Sequence, residues 1–329
     1  MNQFGKAPID PLRVAAWLQR GVVLLALLGL LVLFARSTRH PQPALPPTAP
    51  LQVDAWLIGY RESGRIPSGL QETRGMATGP RGRLYIAGDR AVVCVDARER
   101  LLVGRFAVDG APQCLAVGAD GTLYVGFRDH VGVYAADGRR RANWPTVGGQ
   151  AYITSLAATK TKIFVANAGE KVVLGYNLFG KVVARFGARD DAKGVPGLIV
   201  PSPHLDVVVD RDGVLWIANP GRHAVEAYAP DGALLRHWGV ASFALEGFSG
   251  CCSPSDIAVL PDGRFVTSEK GRMLVKVYRP DGALACVVAL PATFRAQNTG
   301  LDLATDAAGR IYVLDPLTNT VVIFTRKAK

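Results

Sequence analysis

One pattern recurs six times along residues 51–329, and it restricts the fold of this 329-residue chain more than any other feature. Each unit reads as a short apolar strand, a turn ending in glycine, an aliphatic–aromatic–Val/Ile strand, a polar loop and a third strand. The instances are RGMATGPRGRLYIAGDRAVVCVD, QCLAVGADGTLYVGFRDHVGVYAADG, TSLAATKTKIFVANAGEKVVLGYNLFG, LDVVVDRDGVLWIANPGRHAVEAYAPDG, SDIAVLPDGRFVTSEKGRMLVKVYRPDG and LDLATDAAGRIYVLDPLTNTVVIFTRK. Aligned on the first turn they carry Gly82, Gly121, Thr161, Gly213, Gly263 and Gly309, spaced by 39, 40, 52, 50 and 46 residues.

Asp-Gly between strand-like runs signals a hairpin, because glycine supplies the positive φ that tight turns need. The residues after the second Asp-Gly (ALLR at 233–236, ALAC at 283–286) supply a fourth strand. Four antiparallel strands per unit at this period make a propeller blade. The expectation is therefore an all-β, six-bladed β-propeller over residues 53–329. The sixth unit stops after its third strand, near Phe324, and VDAWLIG (53–59) has no other partner. It is expected to become the outer strand of the last blade, closing the ring and removing an exposed edge. Helix is expected almost nowhere in this region.

Upstream, residues 21–35 (GVVLLALLGLLVLFA) carry no charged or strongly polar side chain. A helix of that length falls short of a ~30 Å hydrocarbon core, but extension back to Val14 makes up the difference. Arg20 can snorkel there and Trp17 suits the interface. A long charged leader and no small-x-small site after Ala35 favour an uncleaved transmembrane anchor, about 14–35, over a removable signal. Lys6, Arg13 and Arg20 precede the span while Arg36 and Arg39 follow it. This bias points to a cytoplasmic leader (1–40 with the anchor) and an exported C-terminal domain, in the periplasm of a bacterial inner membrane. Residues 41–52 open with PQPALPPTAP, a polyproline-type linker.

At 49% hydrophobic residues the chain is not disordered, and five cysteines are too few for a cystine scaffold. The pattern P-x-x-I-A-V-x-x-D-G-x-x-x-V-A/T-[DNE]…V-x-V-Y-x-P-D-G resembles the NHL repeat, best matched at residues 254–282 and 203–232. The resemblance covers everything after the linker, with units one and three degenerate. It implies a six-bladed propeller but no single function, since such propellers include RNA-binding and protein-binding modules, a lyase and signalling ectodomains.

Registering the units places two rings of residues on one face. The residue opening each innermost strand reads Gly75, Cys114, Thr154, Asp206, Asp256 and Asp302. Three neighbouring carboxylates at a channel mouth are hard ligands suited to Ca²⁺, as similar carboxylates are in lactonase-type propellers. Alternatively, each accepts backbone hydrogen bonds and caps its strand. The second ring reads Gly88, Phe127, Asn167, Asn219, Glu269 and Asp315, and is expected to organise loops. Glu269 and Lys270 form an acid–base candidate beside the channel, or a solvated surface pair. His204 enters unit four beside Asp206 and is a further catalytic candidate.

Cys251 and Cys252, in GFSGCCSPSD, are adjacent in the loop entering unit five. They suit a vicinal disulfide in an oxidising compartment, a soft site for a thiophilic metal in a reducing one, or simply small buried side chains. No G-x-S-x-G, H-E-x-x-H, Walker-type or G-x-G-x-x-G pattern is present. The chain carries a net +11, which permits an anionic partner. An exported, tethered domain rarely meets nucleic acid, so basic runs at 139–141 and 326–329 suit anionic lipid or solvent better. Three readings remain: a membrane-tethered module that binds or scaffolds a protein through its loop face, a metal-dependent hydrolase or lyase on the axial carboxylates, and a redox module on Cys251-Cys252.

Overall fold

The computed structural model describes residues 52–145, 148–295 and 299–328. The expected anchor, and all of the linker but residue 52, lie outside the described residues. Among those described, no helix is long and apolar enough to cross a membrane.

Six four-stranded antiparallel sheets account for the repeats. Their innermost strands are Thr73–Thr78 (blade 1), Cys114–Val117 (blade 2), Ile153–Ala158 (blade 3), Asp206–Val209 (blade 4), Asp256–Val259 (blade 5) and Asp302–Thr305 (blade 6). Each innermost strand packs against the next all the way round, the first against the last included, so the ring is closed. The chain is all-β as expected: the helical elements described are five single 3₁₀ turns of three residues each.

The hairpin turns show why the repeat signal reads as it does. In blade 4, Asp210 Oδ1 accepts from the Asp212 and Val214 N–H groups at 3.0 and 2.9 Å. Gly213, at φ +81°, then closes the turn in the left-handed region that disfavours a side chain. Blade 6 repeats the device with Asp306 and Gly309. In blade 3, where Thr161 replaces glycine, the Thr159 hydroxyl accepts from Thr161 N–H and Lys162 N–H instead.

Blades pack face to face through their apolar strands. Trp216 of blade 4 is fully buried, with Phe265 of blade 5 edge-on at 4.6 Å between ring centroids. Trp238, in the outer strand of blade 4, lies against Phe265 and Tyr278 of blade 5. It also covers Gly282, where a Cβ would approach Trp238 Cβ to 2.4 Å. Full burial of a large apolar side chain contributes roughly 1.5–3 kcal/mol, so these seams hold the disc together.

Ring closure corrects one expectation. The outer strand of blade 6 is Tyr60–Pro67, paired antiparallel with Thr320–Arg326, and not residues 53–59. Residues 53–59 contain the 3₁₀ turn Ala55–Leu57, and Ile58 makes a parallel bridge to Val287 of blade 5. The reason is that an outermost strand buries only one side of its register. YRESGRIP anchors itself through Tyr60 and Ile66 while its polar residues face water. The more apolar VDAWLIG is not required for that position.

Candidate functional site

The innermost strands deliver Asp206, Asp256 and Asp302 to the axis together, as their register implies. Each carboxylate then reaches across to the following blade. Asp206 Oδ2 accepts from Ile257 N–H at 2.6 Å, Asp256 Oδ1 from Leu303 N–H at 3.0 Å, and Asp302 Oδ2 from Met76 N–H at 2.7 Å. Thr154 continues the chain by donating its hydroxyl to Leu205 O at 2.6 Å. Between blades 1 and 2 the device is absent: Gly75 lets the strands approach until its Cβ position lies 3.0 Å from Cys114 Cα.

Burial pushes all three acids up, and neighbouring carboxylates add to it at Asp256 and Asp302. Asp302 rises to about 8, against the opposing Met76 N–H, with Asp206 as its charged neighbour. Asp206 rises to about 6 through burial, opposed by Ser155 and the backbone N–H groups it accepts from. Asp256 is held well above the usual carboxylate range by burial, Asp206 and Asp302. The triad is therefore only partly ionised at neutral pH, with Asp302 holding its proton more firmly than Asp206. Among the described residues, no group of three or more His, Cys, Asp or Glu side chains is arranged to hold a metal ion. The carboxylates do not fit the expected Ca²⁺ set: each spends an oxygen as an acceptor for a backbone N–H of the following blade instead of converging on one point.

Above them opens a cavity of about 340 Å³ walled by residues of all six blades, from Arg74 and Gln113 through Tyr152, His204 and Lys270 to Pro316. His204 is half-buried beside Gly300, whose Cβ position lies 2.7 Å from its Cε1. Burial, and then the Lys270 ammonium, push the imidazole down to about 4, so it is neutral at pH 7. Lys270 has no ion-pair partner among the described residues. The cavity thus offers a neutral imidazole and a free ammonium above a floor of partly protonated carboxylic acids.

Glu269 does not share this cavity, which corrects the expected Glu269–Lys270 pair. Its side chain is 1% exposed and pairs with the equally buried Lys276 at 2.6 Å. Its Oε2 accepts from Ser249 N–H at 3.0 Å and from the Ser249 hydroxyl at 3.1 Å. Lys276 Nζ donates to Leu245 O and Gly247 O at 2.9 and 2.7 Å and lies over the Phe248 and Tyr278 rings. Burial lowers the Lys276 ammonium and Glu269 opposes that shift. The pair pins the 240–250 loop. In blade 4 the equivalent positions are Asn219 and Glu226, hydrogen-bonded at 3.0 Å, so successive blades use one geometry with different charges. Two members of the second ring organise loops in the expected way: Asp315 accepts from Arg295 N–H and Leu317 N–H, and Asn219 from Ile199 N–H.

Cys251 and Cys252 are free thiols with their Sγ atoms 3.0 Å apart. Neither lines the axial cavity, although Ser255 and Asp256, just downstream, do. The residues that sequence reasoning missed, Arg74, Gln113 and Tyr152, lie at or just before the innermost strands of blades 1–3, where the ring positions carry no carboxylate to draw attention to them. Lys276 gave no signal because a lysine between two valines in a strand reads as solvent-facing.

No family model matches the sequence, and no curated protein matches it. Solved structures match the fold. A streptogramin B lyase superposes with a TM-score of 0.59 at 10% identity, over 84% of this chain and 100% of that one. Virginiamycin B lyase from Staphylococcus aureus gives 0.55 at 11% identity, over 78% and 82%. The WD40 propeller domain of Doa1 gives 0.56 at 17% identity, over 82% and 98%. At such identities the likeness is one of fold, a β-propeller shared with lyases and with a WD40 domain.

Proposed function

We propose that this chain is a membrane-tethered binding module of NHL type, anchored through residues 14–35 and held by the 41–52 linker on the periplasmic side of a bacterial inner membrane. Its working surface is the face that carries the axial pocket, and its occupant is a loop of a protein partner. The supporting observation is the pocket's chemistry: an open cavity of about 340 Å³ whose Lys270 ammonium has no partner among the described residues. An acidic or polar loop tip entering it meets an unpaired cation and a neutral imidazole, on a rigid disc that loses little entropy on binding.

Photo-crosslinking of the full chain in its membrane tests this. A crosslinking residue at Thr299, on the pocket rim, is expected to capture one protein neighbour, and Lys270→Glu to weaken that capture. A crosslinker at Arg98, on the hairpin-turn face with Pro80 and Asp306, is expected to capture none. Equal capture from Arg98, or indifference to Lys270→Glu, contradicts the reading.

His204 and Lys270 favour a second reading, that of a lyase. A neutral imidazole can accept a proton from a bound substrate, and an adjacent ammonium stabilises the anion that develops. Lyases are among the structures of similar fold, and a histidine-to-alanine variant of the S. aureus enzyme, solved with quinupristin, is described as catalytically inactive. Incubation with quinupristin, followed by mass spectrometry, is the direct assay. On this reading the chain consumes the compound and His204→Ala does not; an unchanged compound disposes of it for that substrate.

A further inference from the structure

Cys251 and Cys252 form a site that the axial pocket does not use. Cys251 is exposed and Cys252 is 4% exposed, with 3.0 Å between their sulfurs. Cys94, Cys114 and Cys286 lie in strands of blades 1, 2 and 5, half-buried or buried. The loop that presents the pair is held on both sides. Upstream, Glu269 accepts from Ser249 and Lys276 donates to Leu245 O and Gly247 O. Downstream, Ser255 N–H donates to Ser268 O at 2.9 Å. Between these ties Gly250 abuts Gly271, its Cβ position 3.9 Å from the Gly271 Cα. The frame sets where the sulfurs stand.

We propose that Cys251 and Cys252 form a reversible vicinal disulfide by exchange with an external disulfide, a modification site beside the rim of the axial pocket. Exposure decides the order of steps. The Cys251 thiol loses its proton, and its sulfur attacks one sulfur of an external disulfide RSSR. The R–S–S–R bond breaks, Cys251–S–S–R forms, and the departing thiolate takes up a proton to give RSH. Cys252, alone within reach, then loses its proton and attacks Cys251 Sγ. The bond to R–S breaks and the second thiolate leaves as RSH. In sum two protein thiols are oxidised to one disulfide and one RSSR is reduced to two RSH.

Burial and the neighbouring Cys251 push the Cys252 thiol up, and Ser202, then Lys270, work against that shift. Cys252 is therefore a poor nucleophile toward solvent species and acts as the resolving thiol once Cys251 is derivatised. Because Lys270 also lines the pocket, the modification sits next to a group that any occupant would meet. Vicinal ring closure is strained, and strained disulfides are readily reduced, so the oxidised loop is expected to return to two thiols in a reducing buffer.

The test uses the full chain in detergent, reduced, desalted and incubated with oxidised glutathione. Intact-mass and peptide mass analysis are expected to show loss of two hydrogens, mapped to the peptide carrying Cys251 and Cys252 and reversed by excess reduced glutathione. Cys252→Ser is expected to stop at a stable glutathione adduct on Cys251, and Cys251→Ser to remain unmodified at Cys252. A stable adduct on the unsubstituted chain, a chain-to-chain disulfide through Cys251, or no mass change overturns the proposal. Since the unsubstituted chain supplies the deciding mass, poor folding of either serine variant does not shield the idea.

Discussion

Removing the Lys276 ammonium tests whether the buried Glu269–Lys276 pair holds the 240–250 loop. Lys276→Met keeps most of the stem against Phe248 and Tyr278 but takes the counter-ion from a carboxylate that is 1% exposed. It also leaves the Leu245 and Gly247 carbonyls without the donor they share. Breaking a buried pair by removing one partner costs about 3–5 kcal/mol, because the survivor's charge stays buried without compensation. For a domain of this size that lowers the melting temperature by about 6–20 °C, at about 2–4 °C per kcal/mol. Neutralising the survivor as well, in Glu269→Gln/Lys276→Met, should recover much of the loss. Guanidinium unfolding followed by tryptophan fluorescence suits the assay, since Trp238 packs tilted against Phe248 and Tyr278 beside the pair. A double-mutant cycle should return a coupling energy of about 1–3 kcal/mol. A Lys276→Met chain within about 1 kcal/mol of the parent, or a double variant that is merely additive, would refute the reasoning.

The raised pKa values of Asp302 (about 8) and Asp206 (about 6) carry a sign: the folded state keeps protons that the unfolded chain has lost, so this stabilisation is complete below about pH 4 and fades as pH rises through 6 to 8. Between pH 6.5 and 8 the melting temperature should therefore fall, and Asp302→Asn should flatten that slope; a parallel slope in the variant counts against the partly protonated axis. Gly282→Ala should be costlier than Gly263→Ala. Both glycines sit at φ near +85°, but only at Gly282 does the new methyl meet Trp238, so about 1 kcal/mol for backbone strain is joined by repacking of a blade seam. Denaturant midpoints that rank the two equally would remove Trp238 from the account. Ile66→Asp, placing a charge at a fully buried position of the closing strand, should lower stability by several kcal/mol and make the ring sensitive to protease at its seam; an unchanged midpoint would mean closure lies elsewhere.

Much of the fold was legible because each blade writes its own turns. Asp210 with Gly213 and Asp306 with Gly309 are local devices, visible within four residues, and the register they set already placed Asp206, Asp256 and Asp302 on one axis. What these acids do there was not legible, since their acceptor role depends on how far each blade is rotated relative to the next, and no local pattern encodes that. The same limit hid Lys276: its partners Glu269 and Gly247 lie on other segments, and a strand buried on both faces has no solvent side to which a lysine can be assigned. The closing strand was misplaced by seven residues because apolar character was the guide, whereas a strand at the disc rim needs only Tyr60 and Ile66 turned inward.

The central claim, that ring closure brings loops of blades 4 and 5 together around one axial pocket, is tested most directly by the ionisation of His204 in the intact chain. Proton NMR of the imidazole should give a midpoint near 4, moving upward in Lys270→Met as the neighbouring charge is removed. A midpoint near the ordinary histidine value of about 6.5, untouched by Lys270→Met, would contradict it.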